Sequence, residues 1–169
     1  MSIQAVFGIN ILLALVAWGT LVALYLWPAL RRLRRADALR PLLVLHAFRF
    51  VGLAFIVPGV VSPDLPAAFA RPAAYGDVIA ALLALVALAG LRTRFGTLLV
   101  WVFSIWGSAD LLYAFYEGNQ GGLQVGRLGA TYFLVTFAVP LLLITHGLIF
   151  RLLLQSDGAA VVRKSHVAA

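Results

Sequence analysis

Five long apolar runs alternate along the chain with short segments rich in arginine, proline and glycine. The runs cover about residues 5–27, 42–61, 75–91, 95–116 and 128–150. A bilayer's hydrocarbon layer takes about 20 apolar residues per helix, and each run is close to that length. In hydrocarbon the backbone has no water to bond, so a continuous apolar run must satisfy its own N–H and C=O groups as a helix. The runs are also too long and unbroken for the alternating strands of a barrel. The expected fold class is therefore all-α: an integral membrane bundle of five transmembrane helices filling residues 1–155, with 156–169 as a polar, disordered tail.

The connecting segments set an expected orientation. Arg31, Arg32, Arg34, Arg35 and Arg40 follow the first run, Arg92 and Arg94 follow the third, and Arg151, Arg163 and Lys164 follow the fifth. Five crossings bring these segments to one side, whereas the opposite loops hold Arg71 and Arg127. The positive-inside rule makes the basic side cytoplasmic, with the amino end outside and the carboxyl end inside. The expected location is the plasma membrane, the inner membrane of a bacterial cell. The start of the chain, Met1-Ser2-Ile3-Gln4, lacks the basic segment of a signal peptide, so the first run is expected to be a retained helix.

Composition narrows the classes further. The chain is 63% hydrophobic and 11% charged, against about 25% charged for a soluble domain. Its net charge of +7 sits in short loops, which assigns it to orientation and to anionic lipid head groups instead of to nucleic acid. The chain has no cysteine, which excludes disulfides, thiol catalysis and iron–sulfur ligation. Five spans leave no length for a soluble catalytic domain. The expected partners are the lipid bilayer, a second copy through small-residue faces, or a membrane partner subunit. Glu117 to Gly122 reads as a flexible connection, and its glycines lack the sequence of a phosphate cradle.

Any chemistry must then rest on polar residues within the runs: Asn10, His46, Arg49, Asp77, Asp110 and His146. Such residues in hydrocarbon usually face the bundle interior with a partner. At 1.5 Å per residue, His46 and His146 are expected ~6 Å inside the cytoplasmic boundary, with Arg49 one turn above His46. Asp77, Asp110 and Asn10 are expected within ~10 Å of the outer boundary. This predicts two layers, histidines below and carboxylates above, with Arg49 between and ~10 Å short of Asp110. Arg49, Gly52, Ile56 and Gly59 recur at helical spacing, as do Asp77, Ala80, Ala81, Ala84 and Ala87. Gly107, Asp110 and Ala114 mark the matching face of the fourth run, and Thr131, Val135, Ala138, Leu142 and His146 that of the fifth.

Each of these residues also has a plainer reading. Asp77 falls in the first turn expected for its helix, where capping or interfacial solvation accounts for a carboxylate. Arg49 is within snorkelling reach of the cytoplasmic surface. Asp110 is deeper, and a paired role fits it best. Two histidines at matched depth can ligate haem b iron axially, or can simply meet the interface or serve as hydrogen-bonding groups. A metal site joining the histidines to an aspartate is disfavoured by the separation of the layers. Trp27 reads as an interface anchor, whereas Trp101 and Trp106 line a pocket or face lipid.

From Arg49 to about Gly96 the chain resembles the DoxX-like small membrane proteins. The matching features are Arg49 followed by Gly52, Phe55 and Gly59, a proline-containing outer loop, Asp77, a leucine- and alanine-rich run, and Arg92-Thr93-Arg94. The family's usual lysine after the last glycine is missing, and an extra helix leads the chain. The resemblance implies a redox-associated membrane subunit linked to quinone-coupled or thiol-stress complexes, with Arg49 and Asp77 as the matching polar positions. Three functions stay open: binding of a hydrophobic ligand (quinone or lipid) oriented by Arg49, Asp110 and His146; proton- or ion-coupled transport through Asp110, Asp77 and the histidines; or a structural role without chemistry.

Overall fold

A computed structural model describes residues 1–120 and 124–155. Among these residues the chain is all-helical, with no strand, and five helices are long and apolar enough to cross a membrane. They are α1 (Ile3–Leu30), α2 (Arg35–Ile56), α3 (Ala67–Gly90), α4 (Gly96–Gln120) and α5 (Thr131–Leu154). The tail expected at 156–169 lies outside the described residues.

Several boundaries differ from the sequence expectation, three of them instructively. Helix α2 begins at Arg35, not 42, and contains Pro41; α3 begins at Ala67, not 75, and contains Pro72. Pro41 is the seventh residue of α2 and Pro72 the sixth of α3, each past the first turn and each removing one N–H from the helical ladder. The apolar run marks only the part of a helix suited to hydrocarbon; the helix itself extends past it on polar residues. Residues Glu117 to Gln120, expected as loop, continue α4.

Three helices depart from regular winding, and two of them do so in the same way. Helix α1 widens to a π turn at Val22–Leu26, two residues before Pro28. Helix α5 widens at Leu134–Ala138, two residues before Pro140. A proline removes one N–H from the ladder, and a wider turn upstream redistributes the carbonyls it orphans. The two helices are joined here: Trp18 Nε1 donates to the Phe137 carbonyl at 3.0 Å. The extra residue in α5 also shifts its inward face. Up to His146 the buried positions are Thr131, Thr136, Pro140, Thr145 and His146, and the expected stripe through Val135, Ala138 and Leu142 is only half-buried.

The second half of α2, Phe48–Ile56, is a 3₁₀ helix. Side chains three apart eclipse one another in this winding. Its buried residues are accordingly Arg49, Gly52 and Phe55, while Ile56, expected on the same face at α-helical spacing, points outward.

Packing divides the interior into two apolar clusters. One gathers Leu39, Leu42 and Leu43 of α2, Ala84 and Ala87 of α3, Phe103 of α4 and Ile149 of α5. The other gathers Phe55, Phe69, Ala73 and Ala74 with Val125 and Leu128. On α2, α3, α4 and α5 the ionisable residues fall between the stretches that feed the two clusters. Helix α1 stands apart, packing mainly against α5 and burying only Val22 and Leu30. At the amino-terminal end of α1, backbone bonds tie two loops together: Ser62 N donates to the Arg127 carbonyl at 3.1 Å and Ala130 N to the Val60 carbonyl at 2.8 Å. Gly129 makes this crossing possible, because its φ is +54° and a Cβ there would strike Val60.

The arginine-rich segments do meet at one end of the bundle. Arg92 Nη2 reaches Asp37 Oδ1 at 3.3 Å, Arg35 donates to the Gln155 carbonyl, and the Arg151 guanidinium stacks 4.1 Å over the Trp27 ring.

Candidate functional site

Arg49 is the centre of the polar layer. Its side chain is fully buried and makes four contacts, each to a different element or residue. Nε donates to Asp77 Oδ1 on α3 at 2.7 Å, and Nη2 to Asp110 Oδ2 on α4 at 2.5 Å. Nη1 donates to the Gly107 carbonyl at 3.0 Å and lies 3.5 Å from His146 Nε2 on α5. A guanidinium offers five N–H groups in a rigid fork, so one side chain can join four helices.

Three glycines make the approach possible. A Cβ at Gly52 would overlap the Asp77 carboxylate, and one at Gly76 would overlap that of Asp110. At Gly107 it would come within 2.8 Å of His146 and 2.9 Å of Arg49 Nη1. Each missing side chain is thus the slot for a charged or polar group on the next helix. The 3₁₀ winding of α2 places Arg49 and Gly52 on one line, so that Asp77 can seat against both.

Below Arg49 the two histidines touch. Their ring centroids are 4.2 Å apart, and Phe103 packs against both at 5.1 and 5.2 Å. His46 Nε2 lies 3.0 Å from Thr145 Oγ1, whose hydroxyl also reaches the Leu141 and Leu142 carbonyls at 2.8 and 3.0 Å. With that hydrogen on a carbonyl, Thr145 accepts from His46 Nε2–H, which leaves His46 Nδ1 an acceptor. Arg49 Nη1 can only donate, so His146 Nε2 accepts and the ring hydrogen sits on Nδ1. Among the described residues neither Nδ1 has a hydrogen-bond partner, nor do the buried hydroxyl oxygens of Ser104 and Ser108.

Several expectations need correction. Asp77 is ten residues into α3, about 15 Å along its axis, so first-turn capping does not account for it. The gap expected between Arg49 and Asp110 is closed by a direct ion pair, because helix-axis heights ignore the reach of the arginine stem and the steeper rise of a 3₁₀ segment. Arg49 does not snorkel. His46 and His146 are buried in the bundle and hydrogen-bonded; His46 lies eleven residues into α2, about 16 Å along the axis. Their geometry also does not fit axial haem ligation. Two imidazoles on one iron, with bonds of about 2 Å each, place their centroids on the order of 6 Å apart with the macrocycle between. The observed rings are in contact, and both Nε2 atoms are already engaged. Among the described residues no three histidine or acidic side chains are placed to hold a metal ion.

Asn10 is not part of the cluster. Its Nδ2 donates to Tyr132 Oη at 2.6 Å and joins α1 to α5. Trp106 is exposed, while Trp101 packs on Phe150 with centroids 5.7 Å apart. The sequence reading passed over Thr145, Ser104, Ser108 and Gly76. Ser104 and Ser108 are one turn apart beside Gly107, a spacing that points to a polar face; Thr145 and Gly76 carry no such signal.

A cavity of about 320 Å³ opens from the carboxylates toward the end of the bundle where α1 begins. Phe7, Phe55, Phe69 and Phe115 form much of its wall, and among the described residues Asp77 and Asp110 are its only charged lining residues. Their side chains retain 14% and 11% exposure, whereas that of Arg49 retains none, so the carboxylates alone face the space. Gln4, in the first turn of α1, lines the other end.

Comparison with known proteins places this geometry in a family. No curated protein and no solved structure matches the chain. A family model described as Domain of unknown function (DUF8737) matches residues 6–154, which include every residue of the cluster, and the chain belongs to that family.

Proposed function

We propose that this chain crosses the bilayer five times, amino end outside and carboxyl end cytoplasmic, and binds a hydrophobic ligand in the cavity above Arg49. The crossing is supported by five apolar helices and by the gathering of Arg31, Arg32, Arg34, Arg92, Arg94 and Arg151 at one end. One observation carries the ligand reading: an apolar, aromatic-walled space of ligand size ends on two partly exposed carboxylates. The ligand's apolar body lies against the phenylalanines, and its polar end meets Asp77 and Asp110. The buried ion pairs hold that end of the pocket rigid. The likeness to DoxX-like proteins adds a redox-associated complex as the setting.

The experiment is native mass spectrometry of protein extracted gently from its own membrane. A bound small molecule or lipid is expected on the wild type and is expected to be lost from Ala114→Trp, which fills the cavity. A folded wild-type protein that carries and takes up no hydrophobic ligand overturns the reading.

A second reading is favoured by the polar line that leaves the cavity. From Asp110 it runs through Arg49 to His146, His46 and Thr145, a route for proton- or ion-coupled transport. Proton flux in proteoliposomes that Asp110→Asn abolishes would favour it.

A further inference from the structure

We infer that the cavity selects a lipophilic cation, such as a quaternary ammonium, a phosphonium or a protonated aryl amine. The inference rests on the ligand-binding reading above and names its substrate class. Two carboxylates share one guanidinium, so the ionised cluster carries one surplus negative charge. The guanidinium is sealed off behind them, and among the described residues no other charged side chain lines the space.

The hydrogen-bonding chemistry points the same way. Arg49 takes Asp77 Oδ1 and Asp110 Oδ2. Asp77 Oδ2 and Asp110 Oδ1 accept no hydrogen bond among the described residues and rest against the bare Cα atoms of Gly52 and Gly76. The floor of the cavity therefore offers acceptors and negative charge, without a donor. A quinone carbonyl, itself an acceptor, finds nothing there to bond. A carboxylate or phosphate is repelled. A cation removes the cost of the uncompensated buried charge, and the aromatic rings of Phe55, Phe69 and Phe115 suit a lipophilic one.

The size is suitable, since ligand pockets start at about 300 Å³ and this one is about 320 Å³. The apolar wall selects a cation with a greasy body over a metal ion or a small hydrated amine.

The test compares three probes of similar shape and different charge on the purified wild-type protein. They are tetraphenylphosphonium, tetraphenylborate and neutral tetraphenylmethane, each measured by equilibrium dialysis against empty micelles. The phosphonium is expected to bind at least about tenfold more tightly than either of the others. Asp110→Asn, which leaves one carboxylate for one guanidinium, is expected to remove that preference. Equal affinity for the three probes, abolished by Ala114→Trp, leaves the cavity reading standing and overturns the cation inference. Preference for the borate overturns it also. If none of the probes binds, the cavity reading falls together with the inference. The wild-type comparison decides the matter even where Asp110→Asn does not fold.

Discussion

Gly76 on α3 and Asp110 on α4 occupy facing positions so close that the carboxylate fills the space a side chain at Gly76 would need. Alanine there must displace either the carboxylate or the helix. Gly76→Ala is expected to destabilise the protein by about 1–3 kcal/mol, the usual cost of overpacking. Thermal unfolding in one fixed detergent measures it. The penalty should shrink in an Asp110→Ala background; an undiminished penalty would show that the contact is not the cause.

Arg49→Met leaves two carboxylates in a largely buried site with no counter-charge. A loss of about 3–5 kcal/mol is expected, as for any buried pair stripped of one partner. The triple variant Arg49→Met, Asp77→Asn, Asp110→Asn should recover part of it, because it removes the stranded charges as well. Arg49→Lys should not rescue, since an ammonium cannot span four acceptors set by a planar fork. Chemical unfolding of the three variants separates these outcomes.

Thr145→Val keeps the shape of the side chain but takes away the one partner that His46 Nε2 has among the described residues. The expected cost is about 1–3 kcal/mol for an orphaned buried donor. Thr145→Ser should retain most of the stability. A valine variant as stable as the wild type would mean that the histidine has another partner.

The absence of native cysteine makes topology simple to read. Single cysteines at Ser62, between α2 and α3, and at Thr93, between α3 and α4, should label from opposite faces of sealed vesicles. The Ser62 position is expected to react with an impermeant reagent from outside, and Thr93 only after the membrane is opened. Labelling of both from one face would refute five crossings.

Much of this was legible in the sequence, and the limits are physical. Apolar length alone revealed five helices. Arg49, Asp77, Asp110, His46 and His146 stood out because charge and imidazole are rare in such runs, and the structure brings all five into one contiguous cluster. The register was not legible. Whether Arg49 shares a face with Phe55 or with Ile56 depends on a 3₁₀ winding, and the inward face of α5 depends on a π turn before Pro140. Both are settled by tertiary contacts, which a periodicity of 3.6 assumes away. Helix starts were misjudged for a different reason: α2 and α3 begin before the apolar runs, on polar first turns that carry no hydrophobic signal.

The three glycine slots have a mechanical consequence. Where Gly52, Gly76 and Gly107 face Asp77, Asp110, Arg49 and His146, the distance between neighbouring helices is gauged by ionic groups and not by aliphatic bulk. Aliphatic contacts keep one size whatever the solution holds, but a carboxylate resizes and reorients when a proton or a counter-ion joins it. A change of charge at the cluster is therefore expected to alter how closely α2, α3 and α4 approach one another.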